Sequence, residues 1–238
     1  MKFDLDFYTS RARLLPSLLV ILPLALTLLA ASPMQSIGWD TGITLAISFG
    51  ITALLAQLGR DAGKRNEPAI FQLWGGPPTS LLLSHQHTRL DKFTRTRYQR
   101  KLESLIPGLI FPTPDEESKN QTRAFEIYST CTNYLREKTR DRRQFPLVHA
   151  ENTNYGFRRN LWAMKPAGLF TSGIGIVGSG YLVYRNLLLA DTVFTIGIAA
   201  VVVSCALLAW WSLRIKPSWV KLAAEAYAER LLAACDNL

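Results

Sequence analysis

Apolar residues gather along this chain into four long runs that contain no charged side chain. The runs cover residues 14–32, 41–58, 167–184 and 192–213. A water-soluble core would instead distribute its leucines and valines at the regular spacing of amphipathic helices or strands. Roughly 20 helical residues cross a hydrocarbon core of about 30 Å, so each run has about the length of one membrane span. We therefore predict four transmembrane helices that form two hairpins.

The first run also has features of a cleavable signal peptide, because it follows basic residues and ends in the small-residue sequence LAAS. Two acidic residues, Asp4 and Asp6, lie among the preceding cations, and Pro33 occupies the position at which a peptidase would cut. These features favour a membrane anchor that is retained.

Between the hairpins, residues 59–166 carry apolar positions at helical spacing and are predicted to fold as a mainly helical domain. One helix is expected from about residue 88 to residue 105. A second is expected to begin at Thr113, with Pro114 in its first position and Glu116 completing a capping box, and to extend from the acidic residues 115–117 to the cations Arg136, Lys138 and Arg140. The first of these helices has a dense basic face, formed by Arg89, Lys92, Arg95, Arg100 and Lys101.

Pro217 begins a last segment with the spacing of an amphipathic helix, which we expect to pack on the central domain. The predicted fold class is therefore an all-α membrane protein with two transmembrane hairpins, a basic cytoplasmic domain between them and a C-terminal amphipathic helix. The corresponding domains are residues 1–58, 59–166, 167–213 and 214–238.

The positive charges of the chain are distributed very unevenly between its polar segments. Of the 27 Lys and Arg residues, three precede the first run, nineteen lie in residues 59–166 and four follow the last run. Only Arg185 lies between the third and fourth runs. Because cytoplasmic loops are enriched in Lys and Arg, both termini and the central domain are predicted to be cytoplasmic, at the inner membrane. This topology accounts for most of the net charge of +9, so nucleic acid is not an expected partner.

Several local patterns resemble known sites but lack the context that those sites require. The sequence GIGIVG at Gly173 matches a dinucleotide fingerprint, yet it lies inside an apolar run without a preceding strand. The sequence GRDAGK at Gly59 has too few residues between its glycines for a phosphate loop. The three cysteines are odd in number and irregularly spaced, and the histidines lack the usual spacing of metal ligands. We predict no catalytic residue, no metal site and no cofactor.

Small residues recur along the third run at the spacing that brings transmembrane helices close together. We predict that this stripe packs against the other hairpin or against a second copy of the chain. Its members are Gly168, Thr171, Ser172, Gly175 and Ser179.

The polar stretch before that run, ENTNYGFRRNLWAMKPAG at residues 151–168, has two interpretations. Tryptophan and arginine at the edge of a span are typical of the membrane interface, where a guanidinium can reach lipid phosphates. The same density of donors and acceptors is also compatible with a binding site for a nucleotide or another anionic group. The candidate residues for lipid-phosphate or ligand binding are Glu151, Asn154, Arg158, Arg159, Asn160 and Trp162.

At the level of layout alone, the chain is similar to small bacterial membrane effectors and sensors. Our leading hypothesis is a non-enzymatic oligomeric effector that couples a cytoplasmic protein or nucleotide to the bilayer, with pore opening as one form of the response. One alternative is a membrane enzyme that acts on a lipid or nucleotide and uses His85, His87, His149 and Glu151. Another is a passive scaffold that binds anionic lipid or nucleic acid through the face from Arg95 to Lys101.

Overall fold

The computed structural model describes residues 10–31, 39–187 and 192–238, with side chains omitted for residues 39–49 and 192. These residues form helices and no strand, which confirms the predicted all-helical class. A π-helical turn, Ser10–Leu14, leads into α1 (Leu15–Ala31), which is followed by α2 (Trp39–Trp74), α3 (Pro78–Leu83), α4 (Lys92–Leu105), α5 (Pro114–Lys119), α6 (Gln121–Lys138), α7 (Pro146–Arg185), α8 (Thr192–Leu213), α9 (Pro217–Ala233) and a 3-10 turn, Ala234–Asn237.

Within the described residues, three helical segments are long and apolar enough to cross a membrane by length and composition. They are Ser10–Ala31, Pro146–Arg185 and Val193–Leu213. The predicted span at residues 41–58 lies within α2, but part of it falls outside the residues whose side chains are described. The predicted count of four spans is therefore not confirmed.

Two helix boundaries differ from the expected ones, in each case because of a capping side chain. The helix expected from residue 88 begins at Lys92, since the Asp91 carboxylate accepts a hydrogen bond from Thr94 N at 2.9 Å and caps it. The expected capping box at Thr113 and Glu116 is present. That helix nevertheless ends at Lys119, because the Asn120 side chain caps a new helix by accepting from Arg123 N.

Residues 146–185 form one continuous helix of 40 residues. The polar stretch and the third apolar run, which the sequence analysis assigned to different domains, are therefore parts of α7. Pro166 lies inside this helix and supplies no N–H for the carbonyl one turn earlier.

The chain divides into two compact units, which are described separately. The first unit comprises residues 1–66 and 156–220, and the second comprises residues 67–155 and 221–238. In the first unit, α1 packs on α8, and a buried cluster forms around Val20, Leu161, Met164, Trp211 and Ile215. In the second unit, large apolar side chains from α3, α4, α6 and α9 form the core, with Leu102, Tyr128, Leu135 and Leu231 fully buried.

Candidate functional site

Arg158 lies against the beginning of α9, inside the first unit. Its guanidinium carbon is 4.7 Å from the centroid of the Trp219 ring, and its Nη1 donates to the Trp219 carbonyl at 3.0 Å. A planar guanidinium can stack on an indole and donate a hydrogen bond at the same time, which an ammonium group cannot do. Arg158 therefore fixes the first turn of α9 to α7.

Lys165 makes a comparable connection at the end of α8. Its Nζ donates to the carbonyl oxygens of Ser212 at 3.3 Å and Ile215 at 2.9 Å. The last carbonyls of a helix lack intrahelical donors and lie at the negative end of its dipole, so a lysine is favourable there. Together, Arg158 and Lys165 hold both sides of the short connection between α8 and α9.

Arg159 and Asn160 are buried, with 8% and 1% of their surface exposed. The Asn160 amide donates to the Ala12 carbonyl at 2.7 Å, and its oxygen accepts from Arg159 Nη2 at 3.4 Å. Ala12 belongs to the π-helical turn, where the backbone leaves its regular i to i−4 bonding pattern. Asn160 thus provides that turn with a hydrogen-bond donor from α7.

Two glycines of the GRDAGK sequence make room for this arrangement. A Cβ added to Gly63 would overlap Asn160 Oδ1, and a Cβ added to Gly59 would overlap Met164 Sδ. Gly59 and Gly63 are four residues apart on α2, and they face Met164 and Asn160, which are four residues apart on α7. This is the close approach of a small-xxx-small pair. The sequence analysis rejected a phosphate loop here but missed the packing role, which the four-residue spacing could have indicated.

Trp162 is half-buried and packs against the apolar cluster of the first unit. Three further tryptophans meet in this cluster: the ring centroids of Trp210 and Trp211 are 5.4 Å apart, and those of Trp210 and Trp219 are 6.4 Å apart. Indole rings prefer the depth of lipid headgroups. Trp219 therefore connects this cluster to Arg158, whose guanidinium stacks on the Trp219 ring.

Glu151 and Asn154 belong to the second unit and are therefore grouped separately from Arg158 to Trp162. Asn154 Nδ2 lies 3.5 Å from Glu151 Oε2, the limit of a hydrogen bond. Glu151 lines a cavity of about 360 Å³ together with Leu90, Tyr98, Ala226, Glu229, Arg230 and Ala233. The polar stretch thus supplies one carboxylate to an open cavity of the second unit and several buried or stacked groups to the first.

Two of the three imidazoles are bonded to backbone carbonyls of the second unit. His85 Nε2 is 3.0 Å from the Pro112 oxygen, and His149 Nε2 is 2.9 Å from the Thr139 oxygen. His87 Nδ1 accepts from Arg89 N at 3.3 Å, and partial burial lowers the pKa of this imidazole. Within the described part of the chain, no group of three His, Cys, Asp or Glu side chains is placed to hold a metal ion.

A buried polar network in the second unit was not identified from the sequence. Glu117 is 2% exposed, and its carboxylate accepts from Ser84 Oγ at 2.5 Å and from His85 N at 2.9 Å. Arg95, 7% exposed, donates to the carbonyls of His85, His87 and Leu90. From the sequence, Glu117 was placed among the acidic residues at the beginning of the second helix and Arg95 on a basic face, but both side chains hold the segment between α3 and α4.

Most of the small-residue stripe on α7 faces the helices of the first unit. A Cβ on Gly168 would overlap the Trp211 ring, and one on Gly175 would lie 2.7 Å from both Pro23 Cβ and Ser204 Oγ. Ser172 and Ser179 are fully buried, and Ser179 Oγ is 2.8 Å from Thr27 Oγ1. Thr171 is half-buried and bonds to carbonyls of its own helix. The described contacts of the stripe are therefore with α1 and α8 of the same chain.

Comparison of the chain with protein-family models, curated proteins and solved structures finds no match.

Proposed function

We propose that this protein is an integral membrane effector, in which a cytoplasmic helical unit receives a signal and the apolar helices of the other unit respond. The observation that carries the proposal is the combination, in one chain, of three helices suited to crossing a membrane with a separate unit that has its own large-residue core. A plain membrane anchor would not need a second core of this kind. The proposal includes an inner-membrane location with both termini in the cytoplasm, and the distribution of cations supports this orientation.

In this proposal the receiving site is the cavity of the second unit that contains Glu151, Tyr98, Glu229 and Arg230. Binding pockets commonly combine an apolar lining with a few polar groups that fix the orientation of the ligand. Leu90, Ala226 and Ala233 supply such a lining here. The ligand is a small molecule or a side chain of a cytosolic protein.

The responding groups are Arg158, Arg159, Asn160 and Trp162. They connect α7 to the π-helical turn, to the tryptophan cluster and to the beginning of α9. A change in α7 or α9 would therefore alter the ends of the apolar helices. We further propose that several copies assemble in the bilayer and that the response includes ion conduction.

The test is ion flux through the purified full-length protein in liposomes, with and without a cytosolic extract, together with its mass in detergent. A defined oligomer that conducts only with extract is expected. The double variant Arg158→Ala/Arg159→Ala should insert and assemble normally but give no flux. Because Arg159 is buried, Arg158→Lys serves as a milder variant that keeps the charge and loses the planar stack on Trp219.

Arg185→Ala is the matched control, since Arg185 lies 6.0 Å from the Tyr181 ring at the other end of the same helix. It should conduct like the wild type. A silent monomer under both conditions would overturn the proposal, as would wild-type flux from both Arg158 variants.

An enzyme remains the alternative class, and metal content separates it from the effector. Stoichiometric zinc or manganese in the purified protein, lost on substitution of His85 or His87, would favour an enzyme. The hydrogen bonds of His85 and His149 to backbone carbonyls instead support structural roles for these two side chains.

A further inference from the structure

Phe93 is the most exposed large apolar side chain among the described residues, at 86% of its full surface. It lies in the first turn of α4, in the second unit. An aromatic ring left in water loses the stabilisation that burial would give. The neighbouring apolar positions of the same helix, Tyr98 and Leu102, face the core, so Phe93 is on the opposite, outward side.

The outward side of α4 is also strongly basic. Residues 88–101 carry six cations and one acidic residue. Arg97 and Arg100 follow Phe93 at the four- and seven-residue spacing that places side chains on one helix face, and Lys92 is adjacent. Lys92, Arg97 and Arg100 are exposed, whereas Arg95 is buried against backbone carbonyls and does not belong to this face.

Two acidic side chains near this face have partners outside it. Asp91 caps α4 by accepting from Thr94 N, and Glu103 accepts from Phe111 N at 2.8 Å. Asp236 lies 3.1 Å from Arg97, whose side chain nevertheless remains 60% exposed. The face therefore has a positive surplus, carried mainly by Lys92 and Arg100.

We infer that the face formed by Lys92, Phe93, Arg97 and Arg100 docks on the anionic surface of the lipid bilayer. Phe93 would insert among the headgroups while the three cations contact lipid phosphates, which is how basic amphipathic helices bind membrane surfaces. The apolar helices of the same chain keep such a surface at a high effective concentration, so a weak interaction is sufficient.

The hydroxyl groups of α4 favour lipid over nucleic acid as the occupant. Recognition of nucleic acid uses polar side chains as donors and acceptors toward sugars, phosphates and bases. On this helix, Thr96 Oγ1 donates to the Lys92 carbonyl at 2.8 Å and Ser104 Oγ to the Lys101 carbonyl at 2.7 Å. These two hydroxyl groups are therefore bonded within the helix. The features that the face offers to a partner are the apolar ring of Phe93 and the cations beside it.

The experiment places a fluorescent reporter on the face of the full-length protein. Ser104 lies one turn after Arg100, so Ser104→Cys in a Cys205→Ser background is labelled with an environment-sensitive dye. Cys131 and Cys235 are buried, which raises their thiol pKa to about 12 and about 11 and protects them from labelling. The protein is placed in nanodiscs of phosphatidylcholine alone or mixed with phosphatidylglycerol.

A blue shift of the dye emission is expected only with phosphatidylglycerol. The shift should decrease by more than half in the variants Phe93→Ser and Lys92→Gln/Arg100→Gln. Added salt should decrease it to a similar extent, because it screens the attraction between the cations and the lipid phosphates. Lys119→Gln/Arg123→Gln removes the same charge from exposed positions elsewhere in the second unit and should keep the shift. Unchanged melting of the variants would confirm that they fold.

Three results would overturn the inference. One is the absence of a shift with phosphatidylglycerol in the labelled wild-type face. Another is an equal shift in Phe93→Ser, which would indicate nonspecific charge attraction. The third is a shift in phosphatidylcholine nanodiscs on addition of an RNA oligomer but not with phosphatidylglycerol, which would assign the face to nucleic acid. None of these results depends on ion conduction, so this inference and the effector proposal can fail separately.

Discussion

Each of the two units is stabilised internally by a different kind of contact. In the first unit, glycines of α2 and α7 allow Trp211, Met164, Asn160 and Pro23 to approach the helix backbone. In the second unit, large side chains such as Leu102 and Tyr128 fill the core. Lipid tails offer no hydrophobic drive for helix association, so close packing and hydrogen bonds must supply it. Water supplies that drive directly, and large apolar side chains make best use of it.

The strongest way to break the first unit is to fill one of its close contacts. Gly168→Leu places a side chain where the Trp211 ring lies, so we expect a loss of about 3 kcal/mol or more and little folded protein. Size-exclusion chromatography after heating in detergent measures the effect. Gly173→Leu is the control, because a Cβ at Gly173 meets no atom within 4 Å. Equal damage from both substitutions would contradict the role assigned to the close contact between Gly168 and Trp211.

The corresponding change in the second unit removes volume instead of adding it. Leu102 is fully buried, so Leu102→Ala should lower the free energy of unfolding by about 2–5 kcal/mol. Leu54→Ala makes the same chemical change on α2, where 60% of the side chain is exposed, and should cost less than about 0.5 kcal/mol. Thermal unfolding followed by circular dichroism distinguishes the two. A larger loss at Leu54 would reverse the proposed contrast.

The buried carboxylate tests how far the second unit depends on polar contacts. Glu117→Leu leaves Ser84 Oγ and His85 N without their acceptor, and we expect a loss of about 1–3 kcal/mol. Limited proteolysis between α3 and α4 should then become faster. Glu126→Leu, at an exposed position of α6, is the matched control and should leave the cleavage rate unchanged. Slow cleavage in both variants would show that contacts other than those of Glu117, such as the hydrogen bonds of Arg95, are sufficient to hold the segment.

The smallest expected effects compare two serines of the first unit. Ser179→Ala removes the hydrogen bond to Thr27 and should cost about 0.6 kcal/mol, the average for such bonds between membrane helices. Ser204 Oγ is buried and has no hydrogen-bond partner within the described residues, so Ser204→Ala should be neutral or slightly stabilising. The midpoint of thermal aggregation in detergent measures both. The reverse order would mean that the Ser204 hydroxyl contributes more to packing than the Thr27 bond.

The sequence was sufficient to predict those structural features that depend only on neighbouring residues. Apolar runs predicted the helical class, and Thr113 with Glu116 predicted a capping box that the structure contains. It was insufficient where the outcome depends on a distant partner. Glu117 was expected only to lie with other acidic residues at the beginning of a helix, and its burial depends on Ser84 and His85, which donate hydrogen bonds to it. The close-packing role of Gly59 and Gly63 depends on Met164 and Asn160, which are distant in the sequence and lie beside them in the structure.

The candidate site was predictable to a similar degree. Residue types in the stretch from Glu151 to Trp162 indicated donors, acceptors and aromatic rings, but not which of them would be available to a ligand. Arg158 stacks on Trp219, 61 residues away in the sequence, and Asn160 bonds to Ala12, 148 residues away. Separations of this size leave no local signal.

Pro166 gives α7 a point of elastic compliance. A helix normally resists bending because each turn is clamped by hydrogen bonds, but the Trp162 carbonyl receives no bond from an N–H at position 166. One of the hydrogen bonds that resist a change of axial bend at this turn is therefore missing, whereas a turn without proline has all of them. An isotope-edited infrared band from the Trp162 carbonyl would report the missing hydrogen bond directly. The band should have a higher frequency and a greater width than the bands of neighbouring carbonyls in the same helix.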